Sequence, residues 1–210
     1  SRSHNRVDYN ENKDLIQKRS TDHKRLQEEA AYLEKLPNQL KRHFPALINY
    51  STNLGLQLEY IPFPSLTELF LHWDIGPEGW AAIWQRLGWI LNELQIDEKI
   101  ITGDCNWLYN KKLKVRLAQI KQNPPYANWD QFWTSPLKLN DNLLPSPNKC
   151  AILVQEALAE LETERPLHRI HGDLCFNNIL AEPLHASIRL IDPRGETEQE
   201  ELVPVGYGDP

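Results

Sequence analysis

Methionine is absent from this sequence, and cysteine and long apolar runs are scarce. Three cysteines cannot all pair within the chain and are too few for a disulfide scaffold, which favours a cytoplasmic location. Apolar runs extend over only a few residues, and no secretory signal opens the sequence. We therefore expect no transmembrane helix and no membrane partner.

A surplus of positive charge is also lacking. The chain has 23 Lys and Arg residues against 29 Asp and Glu residues, which gives a formal net charge of −6. Nonspecific binding of nucleic acid requires a basic surplus, so we expect no nucleic-acid partner. Hydrophobic residues make up 40% and charged residues 25% of the chain, which is typical of a folded globular protein.

The N-terminal part has the pattern of a small β-rich lobe with one helix. Strands are predicted at 7–9 and 15–18 around a polar turn, and again at 46–51 and 54–61. Between the two pairs, a helix is predicted after the N-cap candidates at 20–22, and Pro37 stops it. Its apolar positions recur at helical spacing: Leu26, Ala30, Leu33 and Leu36. The proline-bearing segment 61–65 is interpreted as a connector.

Beyond the connector the pattern is mainly helical. Helices are predicted at 66–70, 77–94, 109–120 and 152–164, and residues 122–149 are expected to form an irregular insertion or a long loop. Strands at 178–181 and 188–191 are joined by a turn at 182–186. We therefore predict an α+β fold with two lobes, a nucleotide-binding N-lobe at 1–61 and a C-lobe at 62–210. A cleft at the connector would favour ligand binding.

The segments HGDLCFNN (171–178) and SIRLIDPRG (187–195) carry the strongest functional signal. Asp173 and Asn178 are five positions apart before a strand, and the predicted hairpin would return Asp192 to the side of Asn178. Phosphoryl transfer needs a carboxylate beside the attacking hydroxyl and two oxygen ligands for magnesium. The alternative is a hairpin whose polar residues only cap backbone groups.

These two segments resemble the catalytic loop and the metal-binding segment of the aminoglycoside phosphotransferase and choline kinase group. That group shares the protein-kinase-like fold: HGDL takes the place of HRDL, and IDPRG takes the place of DFG. The segments are especially similar to kinase-like domains of bacterial capsule and surface-polysaccharide biosynthesis proteins. The resemblance implies ATP-dependent transfer of the γ-phosphoryl group to a hydroxyl of a sugar, an amino alcohol or an aminoglycoside. It also implies fusion to, or association with, another biosynthetic domain.

The resemblance further implies a role for each matching residue of the loop and hairpin. Asp173 would be the catalytic aspartate that orients the attacking hydroxyl. Asn178 and Asp192 would hold Mg²⁺ against the phosphates of ATP. His171 would brace the loop.

In the N-terminal part, the resemblance implies a lysine and a glutamate that hold the nucleotide. Lys18 would contact the phosphates of ATP, and Glu29 would pair with it and fix its position. Lys13 is the competing lysine, and Glu28 and Glu34 are the competing carboxylates. The alternative for the pair is two solvated surface residues.

The end of the predicted strand 54–61 is implied to meet the adenine ring through the Glu59 carbonyl and the Ile61 N–H. The alternative is an ordinary strand end.

No glycine-rich phosphate loop is visible, since the first glycine is Gly55. We expect either that a preceding segment supplies the loop or that Ser and Asn side chains of residues 1–10 donate to phosphate. The chain stops just after Asp209, which we expect to be structural, so truncation is expected at both ends.

Other signals have plain structural interpretations. Four potential zinc ligands are close in sequence, but their spacing matches no familiar zinc motif: His168, His171, Cys175 and His185. Cys175 is expected to be a small buried hydrophobe, and the five tryptophans on or beside helices are expected to pack in the core. Trp129 and Trp133 are the better candidates for substrate contact.

Two other functions remain open beside a small-molecule kinase. A degenerate kinase-like domain would bind nucleotide or a partner domain with little turnover, and the missing glycine-rich loop favours it. The intact set of Asp173, Asn178 and Asp192 opposes it. A purely structural domain of a larger biosynthetic protein is the third alternative.

Overall fold

The structure is a computed structural model that describes residues 5–96, 99–100, 110–124, 127–160, 166–194 and 206–208. Its contacts divide the chain into two compact units, residues 1–99 with 166–210 and residues 100–165. The predicted lobe boundary at residue 61 lies inside the first unit, and the division into lobes stays a prediction. Gly195, Trp107 and Asp209 lie outside the described residues.

A four-stranded antiparallel sheet forms the N-terminal part of the first unit. Its strands are β1 Asn5–Asn10, β2 Leu15–Ser20, β3 Leu47–Ser51 and β4 Gly55–Glu59. Their spatial order is β1-β2-β4-β3, so each predicted hairpin is present and the two hairpins join through β2 and β4.

Two helices lie between the hairpins, α1 His23–Glu34 and α2 Asn38–Lys41. Asp22 caps α1, because its side chain accepts a hydrogen bond from the Arg25 backbone N–H. The predicted apolar stripe is buried, which confirms the helical periodicity. Leu26, Ala30 and Leu33 of α1 belong to the same core as Leu56 and Leu58 of β4.

The C-terminal half of the first unit begins with α3 Leu66–His72 and α4 Gly76–Gln95. A capping box of Ser65 and Glu68 starts α3, because each side chain bonds the other residue's backbone N–H. The buried face of α4 consists of Ile83, Leu87, Ile90 and Leu94. The tryptophans predicted on this stripe depart from the prediction and are described with the site.

A β-hairpin of β9 Ile179–Glu182 and β10 Ser187–Leu190 follows a 3₁₀ turn at Phe176–Asn178. Backbone bonds tie this hairpin to the N-terminal part: Ala181 N–H donates to Pro64 O at 3.0 Å, and Leu190 N–H donates to His43 O at 2.7 Å. Ile179, Ala181, Ile188 and Leu190 are buried in the common core. The sheet, α1, α4 and the hairpin therefore share one core.

Besides the hairpin of the second unit, three short strands were not predicted from the sequence. They are β5 Lys99–Ile100, β8 Pro166–Arg169 and β11 Tyr207–Gly208. β8 and β11 are antiparallel partners, with Arg169 opposite Tyr207. Pro166 was expected to mark the end of a helix, whereas it begins β8.

The second unit is described by itself. It contains α5 Asn110–Gln122, α6 Trp129–Thr134, the hairpin β6 Leu137–Leu139 with β7 Asn142–Leu144, and α7 Pro147–Ala159. Residues 122–149 were expected to be irregular, so α6 and the hairpin correct that prediction. The last predicted helix begins earlier than expected, because Ser146 caps it and Pro147 occupies its first turn. Within the residues described here, none of this unit is fully buried.

The coarse fold class is confirmed, since the chain is mixed α+β with an antiparallel four-stranded sheet and several helices. In the described part of the chain, no helix combines the length and the apolar character needed to cross a bilayer.

The turn between β3 and β4 depends on glycine. Gly55 has a φ of 81°, and a Cβ there would collide with the carbonyl oxygen of Lys18 on β2. We expect Gly55→Ala to lower the free energy of unfolding by about 1–3 kcal/mol, as measured by urea denaturation.

Gly88→Ala is the matched control, because Gly88 lies inside α4 and an added Cβ would meet no atom within 4 Å. It should raise the free energy of unfolding by roughly 0.5–1 kcal/mol. Equal effects of the two substitutions would contradict the described packing of β2 against the turn.

Candidate functional site

One buried ammonium group connects three elements of the first unit. Lys18, near the end of β2, places its Nζ 2.6 Å from Glu29 Oε1 on α1 and in a hydrogen bond with Asp192 Oδ1 after β10. The Lys18 and Glu29 side chains are 13% and 10% exposed, whereas that of Asp192 is 47% exposed. Lys18 therefore connects the sheet, the helix and the hairpin, and Asp192 is the more solvent-exposed of its two partners.

Opposing effects set the charge of this cluster. Burial alone would lower the pKa of Lys18, but the Glu29 and Asp192 carboxylates outweigh it and raise that pKa. Burial also raises the pKa of Glu29, against the opposing effect of the Lys18 ammonium. Lys18 is therefore a charged group held below the surface, where a positive charge acts strongly on an anion.

The loop and hairpin bring the two segments of the motif side by side. Ile191 N–H donates to the Asn178 carbonyl at 2.9 Å, so Asp192 follows directly after the residue that pairs with Asn178. The Asn178 side chain is buried, and its Nδ2 donates to the Asp173 carbonyl at 2.9 Å. This bond orients the amide and leaves Oδ1 as its acceptor atom. The expected return of Asp192 to Asn178 is present.

His171 is buried and stabilises the loop and the hairpin. Its ring is 3% exposed, stacks against Phe44, and lies with Nε2 3.0 Å from the Ile191 carbonyl. A carbonyl only accepts, so Nε2 carries the proton and donates. Burial lowers the pKa of His171 to about 4, which keeps the imidazole neutral near pH 7.

Two residues in this region have left-handed backbone conformations. Gly172 has a φ of 78°, and a Cβ there would lie 2.9 Å from the Arg194 carbonyl oxygen. Asp192 has a φ of 57°, which is uncommon for a residue other than glycine. The HGD loop thus needs its glycine for close approach, and Asp192 is held in a conformation that is typical of functional sites.

Arg194 links the hairpin back to the loop. Its Nη2 lies 2.7 Å from Asp173 Oδ2, and its backbone N–H donates to the His171 carbonyl at 2.8 Å. The Asp173 carboxylate is therefore fixed in direction by a guanidinium group. Sequence analysis placed Arg194 in the motif but assigned it no role.

A cavity of about 70 Å³ lies beside this cluster. Its charged lining consists of Arg6, Lys18, Arg19, Arg25, Arg194, Glu28, Glu29 and Asp192. Asp173 and Asn178 are not among its lining residues, although Arg194 contacts both the cavity and Asp173. All predicted site residues except Glu59 and Ile61 are thus linked by side-chain and backbone contacts, with the cavity on the Lys18 side.

Exposed aromatic rings lie next to the HGD loop. Phe176, three positions after Asp173, has its ring 6.1 Å from that of Phe70, 6.4 Å from Trp80 and 5.8 Å from Trp84. Phe70 is 67% exposed and Trp84 is 45% exposed. We call Phe70, Trp80, Trp84 and Phe176 the ring cluster.

The ring cluster corrects the expectation that helical tryptophans pack in the core. Trp73, Trp84 and Trp89 are exposed, and Trp80 is only partly buried. Aliphatic side chains fill the inner face of α4, so the rings are displaced to its edge. Cys175, expected to be buried, is exposed as well.

The predicted adenine-binding residues lie further along β4. The Glu59 side chain accepts from the Ala46 N–H at 3.0 Å and pairs with Arg189 of β10, while Ile61 is buried in the connector. Neither residue lines the cavity beside Lys18. The backbone role of Glu59 and Ile61 toward adenine stays a prediction.

The remaining candidates do not join this site. Trp129 and Trp133 belong to the second unit, where their rings stack 5.6 Å apart. Among the residues that the structure describes, no three His, Cys, Asp or Glu side chains are placed to hold a metal ion, so the four potential zinc ligands form no zinc centre.

The arginines of the cavity were also missed by sequence analysis. One signal could have found two of them: if the predicted strands 7–9 and 15–18 are each extended by one residue at their outer ends, Arg6 lies opposite Arg19, as it does in the structure. Like charges directly opposite in a strand pair are unfavourable, and such a pair suggests an anionic ligand.

The buried neutral His171 predicts a pH dependence of stability. Its folded pKa of about 4 lies below the unfolded value near 6.5, so the unfolded chain binds the extra proton between these values. The free energy of unfolding should therefore fall as the pH falls from 6.5 to 4, by up to roughly 3 kcal/mol from this residue.

Urea denaturation of the wild type and of His171→Gln across this range measures that contribution. The variant should lose part of the pH dependence, whereas His43→Gln, which removes another buried histidine with a lowered pKa, should retain the His171 part. A His171 imidazole that titrates near 6.5 by NMR would show that the ring is not buried as described.

The site thus has a charged lysine, an oriented amide, three carboxylates and a buried histidine, which form one network through their hydrogen bonds and the backbone of the loop and hairpin. Chemically, this network can bind an anion and position a hydroxyl. Compared with known proteins, the chain matches no protein-family model, no curated protein and no solved structure.

Proposed function

We propose that this chain is an ATP-dependent phosphotransferase that transfers the γ-phosphoryl group to a hydroxyl of a small molecule. The observation that carries the proposal is the contact of Lys18 with both Glu29 and Asp192. A lysine that pairs with a helix carboxylate and reaches the acid after the catalytic loop has the arrangement needed to hold nucleotide phosphates. The proposal includes a two-lobed kinase-like fold with a cytoplasmic location.

In this proposal, Lys18 binds phosphate and Glu29 positions it. The raised pKa of Lys18 keeps the ammonium charged, and burial of the pair restricts its direction. Asp192, the more exposed partner, is the contact that a phosphate oxygen would replace or join. The backbone of Glu59 and Ile61 is proposed to contact adenine.

Asn178 and Asp192 are the residues that would hold magnesium. Their donor atoms fit, because the Asn178 Nδ2 is already bound to the Asp173 carbonyl, which presents Oδ1, and because Asp192 offers carboxylate oxygens. Magnesium takes oxygen ligands and is commonly held by one or two protein groups and substrate phosphates. When bound, it would neutralise charge that develops on the transferred phosphoryl group.

Asp173 is proposed to position the acceptor. The acceptor oxygen would form a bond to the γ-phosphorus as the bond to the departing ADP oxygen breaks, and Asp173 would receive the hydroxyl proton. Arg194 fixes the Asp173 carboxylate at 2.7 Å, which restricts the direction from which a hydroxyl approaches. Positioning therefore supplies most of the proposed rate enhancement.

The ring cluster is the proposed acceptor side. Phe176 shares the loop with Asp173, so an acceptor held at Asp173 would lie near the four rings. Aromatic faces attract ammonium groups, and their apolar surface packs against sugar rings. This property is compatible with an amino alcohol, an aminoglycoside or a sugar, and with a role in surface-polysaccharide biosynthesis.

A second candidate is a kinase-like domain with weak turnover that binds nucleotide or a partner domain. The specific observation in its favour is the ion pair of Arg194 with Asp173, which occupies one oxygen of the proposed catalytic carboxylate. Under this proposal, nucleotide binds and the acceptor hydroxyl is excluded.

Substitution of the proposed base separates the two candidates. Asp173→Asn keeps the shape of the side chain but removes its proton acceptor, so turnover should fall by about 10²-fold or more. ATP affinity should remain within about twofold, since Asp173 is not a lining residue of the Lys18 cavity.

The measurement is ADP release with a panel of sugars and amino alcohols, together with calorimetric titration of Mg·ATP. Unchanged turnover in Asp173→Asn would refute the proposed role of this carboxylate. Binding of Mg·ATP to the wild type without turnover on any acceptor would favour the second candidate.

Substitutions of two tryptophans on α4 test the proposed acceptor side. Trp84→Ala removes one member of the ring cluster and should raise the acceptor KM several-fold, because one ring contact contributes about 0.5–2 kcal/mol. Trp89→Ala is the matched control, since Trp89 is exposed on the same helix but stacks with Arg86. An equal acceptor KM for the two variants would contradict an acceptor role for the cluster.

A further inference from the structure

The cavity beside Lys18 has a charge opposite to that of the whole chain. Five of its lining side chains are cationic and three are carboxylates, in a chain with a formal net charge of −6. The cations come from β1, β2, α1 and the segment after β10, so they converge on this place from distant parts of the sequence. Such convergence raises the local potential for an anion.

Three of the five cations already have close partners. Lys18 bonds Glu29 and Asp192, Arg194 bonds Asp173, and Arg6 bonds Asp8, which is not a lining residue of the cavity. The positive charge that remains for a ligand therefore comes chiefly from Arg19 and Arg25, and Arg6 adds donors that Asp8 does not use.

Arg25 has the guanidinium group most clearly available to hydrogen-bond a ligand. Within the described part of the chain, its guanidinium forms no hydrogen bond or ion pair, although its charge helps to lower the pKa of Glu29. It is half-buried on the first turn of α1, next to the Lys18–Glu29 pair. A guanidinium at this position can donate a pair of parallel hydrogen bonds to a phosphate.

Arg6 and Arg19 lie directly opposite each other across β1 and β2. Two like charges at such positions repel each other. Asp8 compensates only in part, since its carboxylate lies 2.9 Å from the Arg6 Nε but 3.8 Å from the Arg19 Nη1. An anion placed between the two guanidinium groups would relieve the repulsion.

The cavity has room for a ligand group that is larger than water. Its volume of about 70 Å³ exceeds by several times the roughly 10–15 Å³ that one water molecule needs. The Arg6 and Arg19 side chains are 74% and 51% exposed, whereas that of Lys18 is 13% exposed, so the lining includes both solvent-exposed and buried cations. A linear polyphosphate would contact both.

We propose that Arg6, Arg19 and Arg25 form a polyphosphate clamp that holds the phosphates of a nucleoside triphosphate in place of a glycine-rich loop. This inference rests on the proposed function, which gives the nucleotide its place at Lys18. It assigns the phosphate contacts to arginine side chains rather than to backbone N–H groups or to Ser and Asn side chains. Affinity should therefore grow with the number of phosphates.

Calorimetric titration of the full chain with adenosine, AMP, ADP, ATP and inorganic tripolyphosphate tests the clamp. The affinity of the wild-type chain should increase from adenosine through AMP and ADP to ATP. Tripolyphosphate should compete with ATP for binding. Arg25→Gln and Arg19→Gln should each weaken ATP binding by about tenfold or more, since a hydrogen bond to a charged group is lost. Neither change should alter adenosine binding.

Arg86→Gln is the matched control, because it removes the same charge from α4, where Arg86 stacks on the Trp89 ring. Its ATP affinity should equal that of the wild type. Arg25→Lys should give an intermediate ATP affinity, since it keeps the charge but loses the paired donors. Circular dichroism of each variant checks that it is folded.

The outcomes separate the clamp from the proposed function. Arginine variants that bind ATP within twofold of the wild type would overturn the clamp, even if phosphoryl transfer is observed. A wild-type chain that binds neither ATP nor tripolyphosphate would overturn it as well. Weaker ATP and tripolyphosphate binding in the arginine variants, without turnover on any acceptor, would support the clamp and refute the phosphotransferase.

Discussion

The contact of Lys18 with Glu29 and Asp192 is the constraint on which the site depends. A buried ammonium is costly unless carboxylates surround it, and removal of one partner leaves an uncompensated charge. The sheet, α1 and the hairpin must therefore adopt positions that keep the three groups together. Since each partner comes from a different element, this local requirement constrains how β2, α1 and the hairpin lie relative to one another around the cavity.

The loop and hairpin satisfy this constraint through backbone geometry. Gly172 permits the close approach of Arg194, and the Ile191–Asn178 bond aligns the end of the loop with the end of β10. Asp192 then takes a positive φ, so its carboxylate reaches Lys18. Buried His171 stabilises both chain segments. Protonation of its imidazole in acid would therefore destabilise the loop and the hairpin together.

The sequence predicts the parts of this protein whose signals are local. The two N-terminal hairpins, the apolar stripe of α1 and the return of Asp192 to Asn178 follow from spacing alone. Features that depend on tertiary context were missed. Trp84 has the right helical position for the core, but aliphatic residues fill that face. The Arg194–Asp173 pair and the convergence of arginines need three-dimensional distances, and β8 is too short to have a periodicity.

A crystal structure of the chain with Mg²⁺ and a non-hydrolysable ATP analogue tests the central claim most directly. The account predicts Lys18 on a phosphate oxygen, one cation in contact with both Asn178 Oδ1 and Asp192, and Arg25 on the phosphate chain. A nucleotide bound elsewhere, with Lys18 still held between Glu29 and Asp192 and no cation between Asn178 and Asp192, would contradict it.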